Sequence, residues 1–131
     1  MNNQEGGGMR VCVIEHDEVL NAIWCARLEA LGHNVDTAHD LETSQRRLAD
    51  RKIDVVLAGW SLLEADPGSA FLSWARQVQP NLRVVVSIPA HEYFDHEPHA
   101  LSTRIGADAV IISPTTEEDL TLALEGKSSN A

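Results

Sequence analysis

Four short stretches carry the side chains that site chemistry would need. Glu15-His16-Asp17-Glu18 sets an imidazole among three carboxylates in consecutive positions. Glu15 and Asp17 are the oxygen ligands that a hard divalent cation would take. Acids just ahead of a helix also suit the positive end of its dipole, and that plainer role is preferred over metal binding. His91, His96 and His99 share the segment HEYFDHEPH with Glu92, Asp95 and Glu97. Imidazole with carboxylate is the ligand chemistry of zinc and copper. Asp95 stands where the second histidine of HExxH belongs, however, and Pro98 interrupts helical spacing. Solvated loop histidines are the better reading, so no metal and no cofactor is expected. The hydroxyls of Ser87 and Ser113, and Gly59-Trp60-Ser61, complete the set.

Each stretch follows an apolar run. RVCVI (10–14), 34–38, 55–58, 84–88 and 109–112 read as strands. Val19, Leu20, Ile23, Ala26, Leu28 and Leu31 recur near a 3.6 period, which predicts a helix over 18–31 that stops at Gly32. Asp40 can cap a helix to about Asp50, with Leu41 and Leu48 facing inward. Asp66-Pro67-Gly68 reads as a turn, and Phe71, Leu72, Trp74, Ala75 and Val78 predict a helix over 69–78. Residues 89–99 read as a loop, followed by a helix to Ile105. Thr115 and Glu118 make a capping box for a last helix to about Leu124.

Strands and helices thus alternate five times, and the strands are apolar on both faces. That is the pattern of an α/β, doubly wound, five-stranded parallel sheet with five helices, flavodoxin-like, in the order 2-1-3-4-5. Such a sheet binds ligands at the carboxyl ends of its strands. Glu15-His16-Asp17-Glu18, Gly59-Trp60-Ser61, Ser87 to His91 and Ser113-Pro114 converge there, whereas Asp54 lies at the opposite, amino end. Trp24 and Trp74 belong to helix patterns and to the core. Trp60 sits at the rim of the site and fills space there rather than anchoring a partner.

VCVIEHDEVL, ARLEALGHNVDTAHD and GADAVIISP resemble the receiver domain of two-component response regulators, over residues 10 to 125. The resemblance implies an aspartate at the end of strand three that accepts a phosphoryl group. Two acids after strand one would hold Mg²⁺, with a Ser or Thr after strand four and a Lys after strand five. Carried over, the acceptor position falls on Gly59 and the lysine position on Ser113. Glu15 matches the first acid, and His16 replaces the second, with Asp17 as a substitute within reach. The Ser/Thr position is Ser87 or Ile88, and the aromatic switch position is Val110. The loop before Asp66-Pro67-Gly68 is one residue longer than the family's, with Leu63 where the family has proline. Without the acceptor the covalent step is lost, and without cations the phosphoryl charge is not neutralised.

The expectation is therefore a degenerate receiver, not an enzyme, with an emptied pocket of Glu15, His16, Asp17, Gly59, Ser87 and Ser113. It would act in a bacterial cytoplasm as a protein interaction module. Its partner would be a histidine kinase, a regulator, an output protein or a second copy of itself. By resemblance the contact face includes His99, Arg104, Val110 and Glu118. The alternative is a metal- or small-ligand sensor using Glu15, His16, Asp17 and His91 in the vacated pocket.

Bulk properties agree with one domain over residues 9–125, between a disordered 1–8 segment and a disordered 126–131 tail. The 131 residues, 44% hydrophobic and 23% charged, suffice for a single core. A net charge of −10 disfavours nucleic acid and anionic membrane as direct partners, although Arg46, Arg47, Arg51 and Lys52 cluster locally. No apolar run approaches the roughly 20 residues of a membrane span. Cys12 and Cys25 fall in apolar and helical patterns and read as reduced core residues. The acidic loop after strand one excludes a flavodoxin phosphate cradle, and the cobalamin motif DxHxxG is not present at His16.

Overall fold

Side chains alternate across a strand, and that alternation sets the layers of this molecule. A computed structural model describes residues 8–63, 66–93 and 106–126 of the chain. Its strands are β1 (Arg10–Ile14), β2 (Asn34–Ala38), β3 (Val55–Gly59), β4 (Arg83–Pro89) and β5 (Ala109–Ser113). All neighbours pair in parallel, in the order β2-β1-β3-β4-β5, as expected. Cys12, Ile14, Val56, Ala58, Val84, Val86 and Ile88 enter one cluster, with Leu48, Phe71, Leu72 and Ala75 from α2 (Leu41–Asp50) and a later helix over Asp66–Val78. Val11, Val13, Val55, Leu57, Val85 and Ile111 enter the other, with Trp24 and Leu28 from α1 (Glu18–Ala30) and Leu120 and Leu124 from a helix over Glu117–Glu125. Single helical turns at Trp60–Leu63 (α3) and Ala90–Tyr93 (α5) follow β3 and β4. The two longer helices are α4 (Asp66–Val78) and α6 (Glu117–Glu125). This is the doubly wound, flavodoxin-like sandwich.

The first helix faces the sheet differently from its apolar pattern. Its buried residues are Asn21, Trp24 and Leu28, while Val19, Leu20 and Ile23 are 68%, 37% and 47% exposed. The reason is hydrogen bonding. The Asn21 amide donates to the carbonyls of Glu15 at 3.0 Å and Ala38 at 3.2 Å, at the ends of β1 and β2. Its Oδ1 accepts from the Thr37 hydroxyl at 2.6 Å. A buried polar side chain so well partnered outranks a weak apolar stripe.

Other boundaries also move. Helix α4 begins at Asp66, so Asp66-Pro67-Gly68 is its first turn and not a separate turn. Proline is tolerated there because first-turn N–H groups have no intrahelical acceptor. The cap of α6 is Thr116, whose hydroxyl accepts from the Asp119 amide at 3.0 Å, one residue later than the expected Thr115–Glu118 box. The Thr115 carbonyl instead accepts from Arg27 at 2.6 Å. Residues 90–93 are helical where a loop was expected. Gly126, expected in the tail, closes α6 with φ 81°. The expected helix ending at Ile105 lies outside the described residues, as do residues 1–7 and 127–131. Among the described residues no helix is long and apolar enough to cross a membrane.

Two consequences are measurable. Asn21→Ala takes the amide donor from the Glu15 carbonyl and the acceptor from the Thr37 hydroxyl, and urea unfolding should show a loss of about 1–3 kcal/mol. His33 accepts the Met9 amide hydrogen through Nδ1 at 3.0 Å, and burial lowers its pKa from 6.5. Because the folded value is depressed, the stability His33 contributes is present above 6.5 and is lost as pH falls below it. The melting temperature should therefore fall between about pH 7.5 and pH 5.5, and fall less in His33→Asn.

Candidate functional site

Glu15 leaves the sheet directly after β1 and is buried, with 6% exposure. Its Oε2 accepts from the Asp17 amide at 3.0 Å, and His16 Nδ1 lies 3.4 Å from the same oxygen. Its Oε1 points toward Gly59, the last residue of β3. A Cβ at Gly59 would stand 2.5 Å from that oxygen. The place of a side chain at the end of β3 is thus taken by the carboxylate of Glu15.

Asp17 is the N-cap of α1. Its Oδ1 accepts from the amides of Val19 at 2.9 Å and Leu20 at 3.0 Å. Oδ1 is thus engaged in capping, while the residue also lines the site cavity. His16 is exposed at the mouth. Ser87 pairs in register with Gly59 and is 6% exposed, whereas Ile88 is wholly buried in the core beneath α2 and α4. Ser87 is therefore the hydroxyl on the site side of β4. Ser113 ends β5 opposite Pro89 and joins Pro114 through a cis peptide bond.

All six expected residues, Glu15, His16, Asp17, Gly59, Ser87 and Ser113, line one cavity of about 390 Å³, with Ser61 and His91. Leu20 and Trp24 line it as well, and these were assigned to the helix core. Their i, i+4 spacing directly after an acidic loop was the available signal. Trp60 lines the cavity and is 6% exposed, within the core cluster, so it fills space as expected. Trp74 is half-buried and tilts against Phe71 at 6.2 Å. Of the expected contact face, Val110 is half-buried and Glu118 exposed, while His99 and Arg104 lie outside the described residues, with most of the HEYFDHEPH segment.

No Lys or Arg is among the described residues that line this cavity. Nor do three or more His, Cys, Asp or Glu side chains converge as metal ligands among the described residues. The thiols lie elsewhere. Cys12 is buried and its pKa is pushed up to about 12, first by desolvation, and burial also raises Cys25. A second hollow, of about 480 Å³, lies at the amino ends of the strands beside Asp54 and Gln79. Two of its polar side chains are engaged: the Gln79 amide bridges the backbones of Leu48, Arg51 and Ile53, and Asp54 accepts from the Arg10 amide at 2.9 Å.

Compared with solved structures, the chain superposes on a response regulator receiver domain protein from Clostridium thermocellum with TM-score 0.72 and 23% identity, over 89% of this chain and 91% of that one. A response regulator from Thermotoga maritima matches with TM-score 0.73 and 21% identity, over 90% and 98%. A response regulator from Burkholderia pseudomallei, solved with a phosphorylated aspartic acid, a calcium ion and citrate, matches with TM-score 0.72 and 21% identity, over 93% and 68%. The fold is that of response regulator receiver domains. At these identities the likeness is one of fold. No family model matches the sequence, and no curated protein does.

The contact between Glu15 and Gly59 can be weighed directly. Gly59→Ala should cost no more than about 1 kcal/mol, because the atom in the way is the far end of the Glu15 side chain, which can shift at the expense of its bond to the Asp17 amide. In a Glu15→Ala background the same change should cost much less, and the coupling appears in a double-mutant cycle of urea unfolding.

Proposed function

We propose that this chain is a receiver-fold module that carries no phosphoaspartate and signals by contact with another protein. One observation carries the reading: β3 ends at Gly59, and the room for an acceptor side chain is filled by Glu15 Oε1. Two further features support it. Ser113 stands where the resemblance calls for a lysine, and the described lining of the cavity holds two carboxylates, Glu15 and Asp17, with no Lys or Arg. A phosphoryl group there would meet negative charge and no counter-cation, although its transfer needs cations on its oxygens. The Burkholderia regulator, by contrast, was solved with a phosphorylated aspartic acid and a calcium ion.

With no phosphoryl mark, the remaining output is binding. The partner is another signalling protein, such as a histidine kinase, a regulator or an output protein, or a second copy of the chain. The face around β5 and α6, with Val110 and Glu118, is the surface the resemblance assigns to it. A partner can still select between two arrangements of the fold without covalent chemistry, provided it binds one of them better. Nucleic acid is not a direct partner in this reading, since the net charge is −10.

Intact-mass spectrometry after incubation with acetyl phosphate and Mg²⁺ tests the first half. The expected spectrum shows the unmodified chain alone; an added phosphoryl group would overturn the reading.

A further inference from the structure

The two edges of the sheet are not protected alike. β2 and β5 stand at the ends of the strand order. A bare strand edge is a template for another strand unless charge, proline or a covering group blunts it. β2 is blunted. Asp36 stands in its middle, tied to Arg10 at 3.2 Å and to Arg51 at 2.8 Å, and the Thr37 carbonyl accepts from Arg47 at 3.4 Å. β5 reads AVIIS, with no charged side chain and no proline. Among the described residues no strand pairs with its outer side.

A groove of about 400 Å³ lies along β5. Val110 and Ile112 line it and pack with one core cluster, while Ile111 and Ala123 line it and pack with the other. Successive side chains point to opposite faces of a sheet, so both sets meet in one hollow only at the edge of the strand. The groove therefore offers strand backbone together with apolar side chains. Val110, Ile112 and Leu122 are half-buried there.

Charge narrows the occupant. Asp119 is the one charged residue among the described residues that line the groove, and Glu117 and Glu118 share its turn of α6. A second copy of the chain would bring a net charge of −10 to a chain that already carries −10. A segment with Lys or Arg brings the opposite sign. A helix satisfies its backbone internally and would leave the strand edge without partners, whereas an extended segment pairs with it.

We propose that β5 accepts an extended apolar segment of a partner protein as an added strand, with a Lys or Arg of that segment against Asp119. The proposal rests on the reading of the chain as a contact module and gives that contact its form. The acetyl phosphate experiment bears on the phosphoryl mark alone, so either result can fail without the other.

The test is an NMR titration of the ¹⁵N-labelled full chain with the peptide acetyl-Lys-Val-Thr-Val-Thr-Val-Lys-amide. Saturable shifts centred on 109–113 and the facing side of α6 are expected. The same peptide N-methylated at its three central residues has lost the donors of both edges and should bind at least about tenfold more weakly, or about 1.4 kcal/mol. Replacing both of its lysines by glutamate should weaken binding by a similar factor. Asp119→Asn should weaken the lysine peptide about threefold, and it keeps the backbone amide that Thr116 caps. Without peptide, hydrogen exchange should leave alternate amides of β5 unprotected, because a strand paired on one side bonds only every second amide. The peptide comparisons and the exchange on the unaltered chain decide the matter even where the variant folds poorly. The proposal is overturned if the lysine peptide does not bind saturably, if the methylated or the glutamate peptide binds equally well, if the shifts centre elsewhere, or if every amide of β5 is already protected.

Discussion

Asn21 holds the first helix to the sheet, and the shape of the site follows from that attachment. One side-chain amide donates to the carbonyls of Glu15 and Ala38, where β1 and β2 end, and its oxygen accepts from Thr37. Those bonds set the rotation of α1 about its axis. With Asn21 inward, Trp24 and Leu28 turn inward on the same face, and Val19 and Ile23 turn to solvent. Leu20 and Trp24 then reach the cavity, and Asp17 is placed to cap the helix. A polar residue thus does the orienting that a hydrophobic stripe usually does, because it partners the Glu15 carbonyl and gives the Ala38 carbonyl, which also accepts from the Glu15 amide, a second donor.

The second constraint is steric and electrostatic at once. Glycine at the end of β3 leaves a gap, and the Glu15 carboxylate lies in it. Receiver-fold chemistry depends on a carboxylate at that strand end with cations around its developing phosphoryl charge. Here a carboxylate is present, but it comes from Glu15 just after β1, is buried, and reaches across to Gly59 instead of projecting from β3. The described wall around it contributes no fixed positive charge.

The strands and their order were readable because a parallel sheet covered on both faces demands continuous apolar runs, and few other arrangements do. The caps at Asp40 and the stop at Gly32 were readable for local reasons: a side-chain oxygen meets an amide three residues on, and Gly32 adopts φ 96°. At the last helix the local signal pointed to Thr115, and the cap is Thr116. The Arg27 bond to the Thr115 carbonyl comes from another part of the chain.

By itself the sequence determined the doubly wound class, the convergence of Glu15, His16, Asp17, Gly59, Ser87 and Ser113, and the glycine that ends strand three, since these depend on residue type and strand order. Only the tertiary structure decided that Ser87 and not Ile88 faces the site, that Asp17 caps α1, and that Val19 and Ile23 of α1 turn outward while Trp24 and Leu28 turn inward. It alone placed the Glu15 carboxylate in the space of the absent side chain. Each of those outcomes turns on contacts between residues far apart in the chain or on a one-residue register. A period of two or of 3.6 carries no information about either.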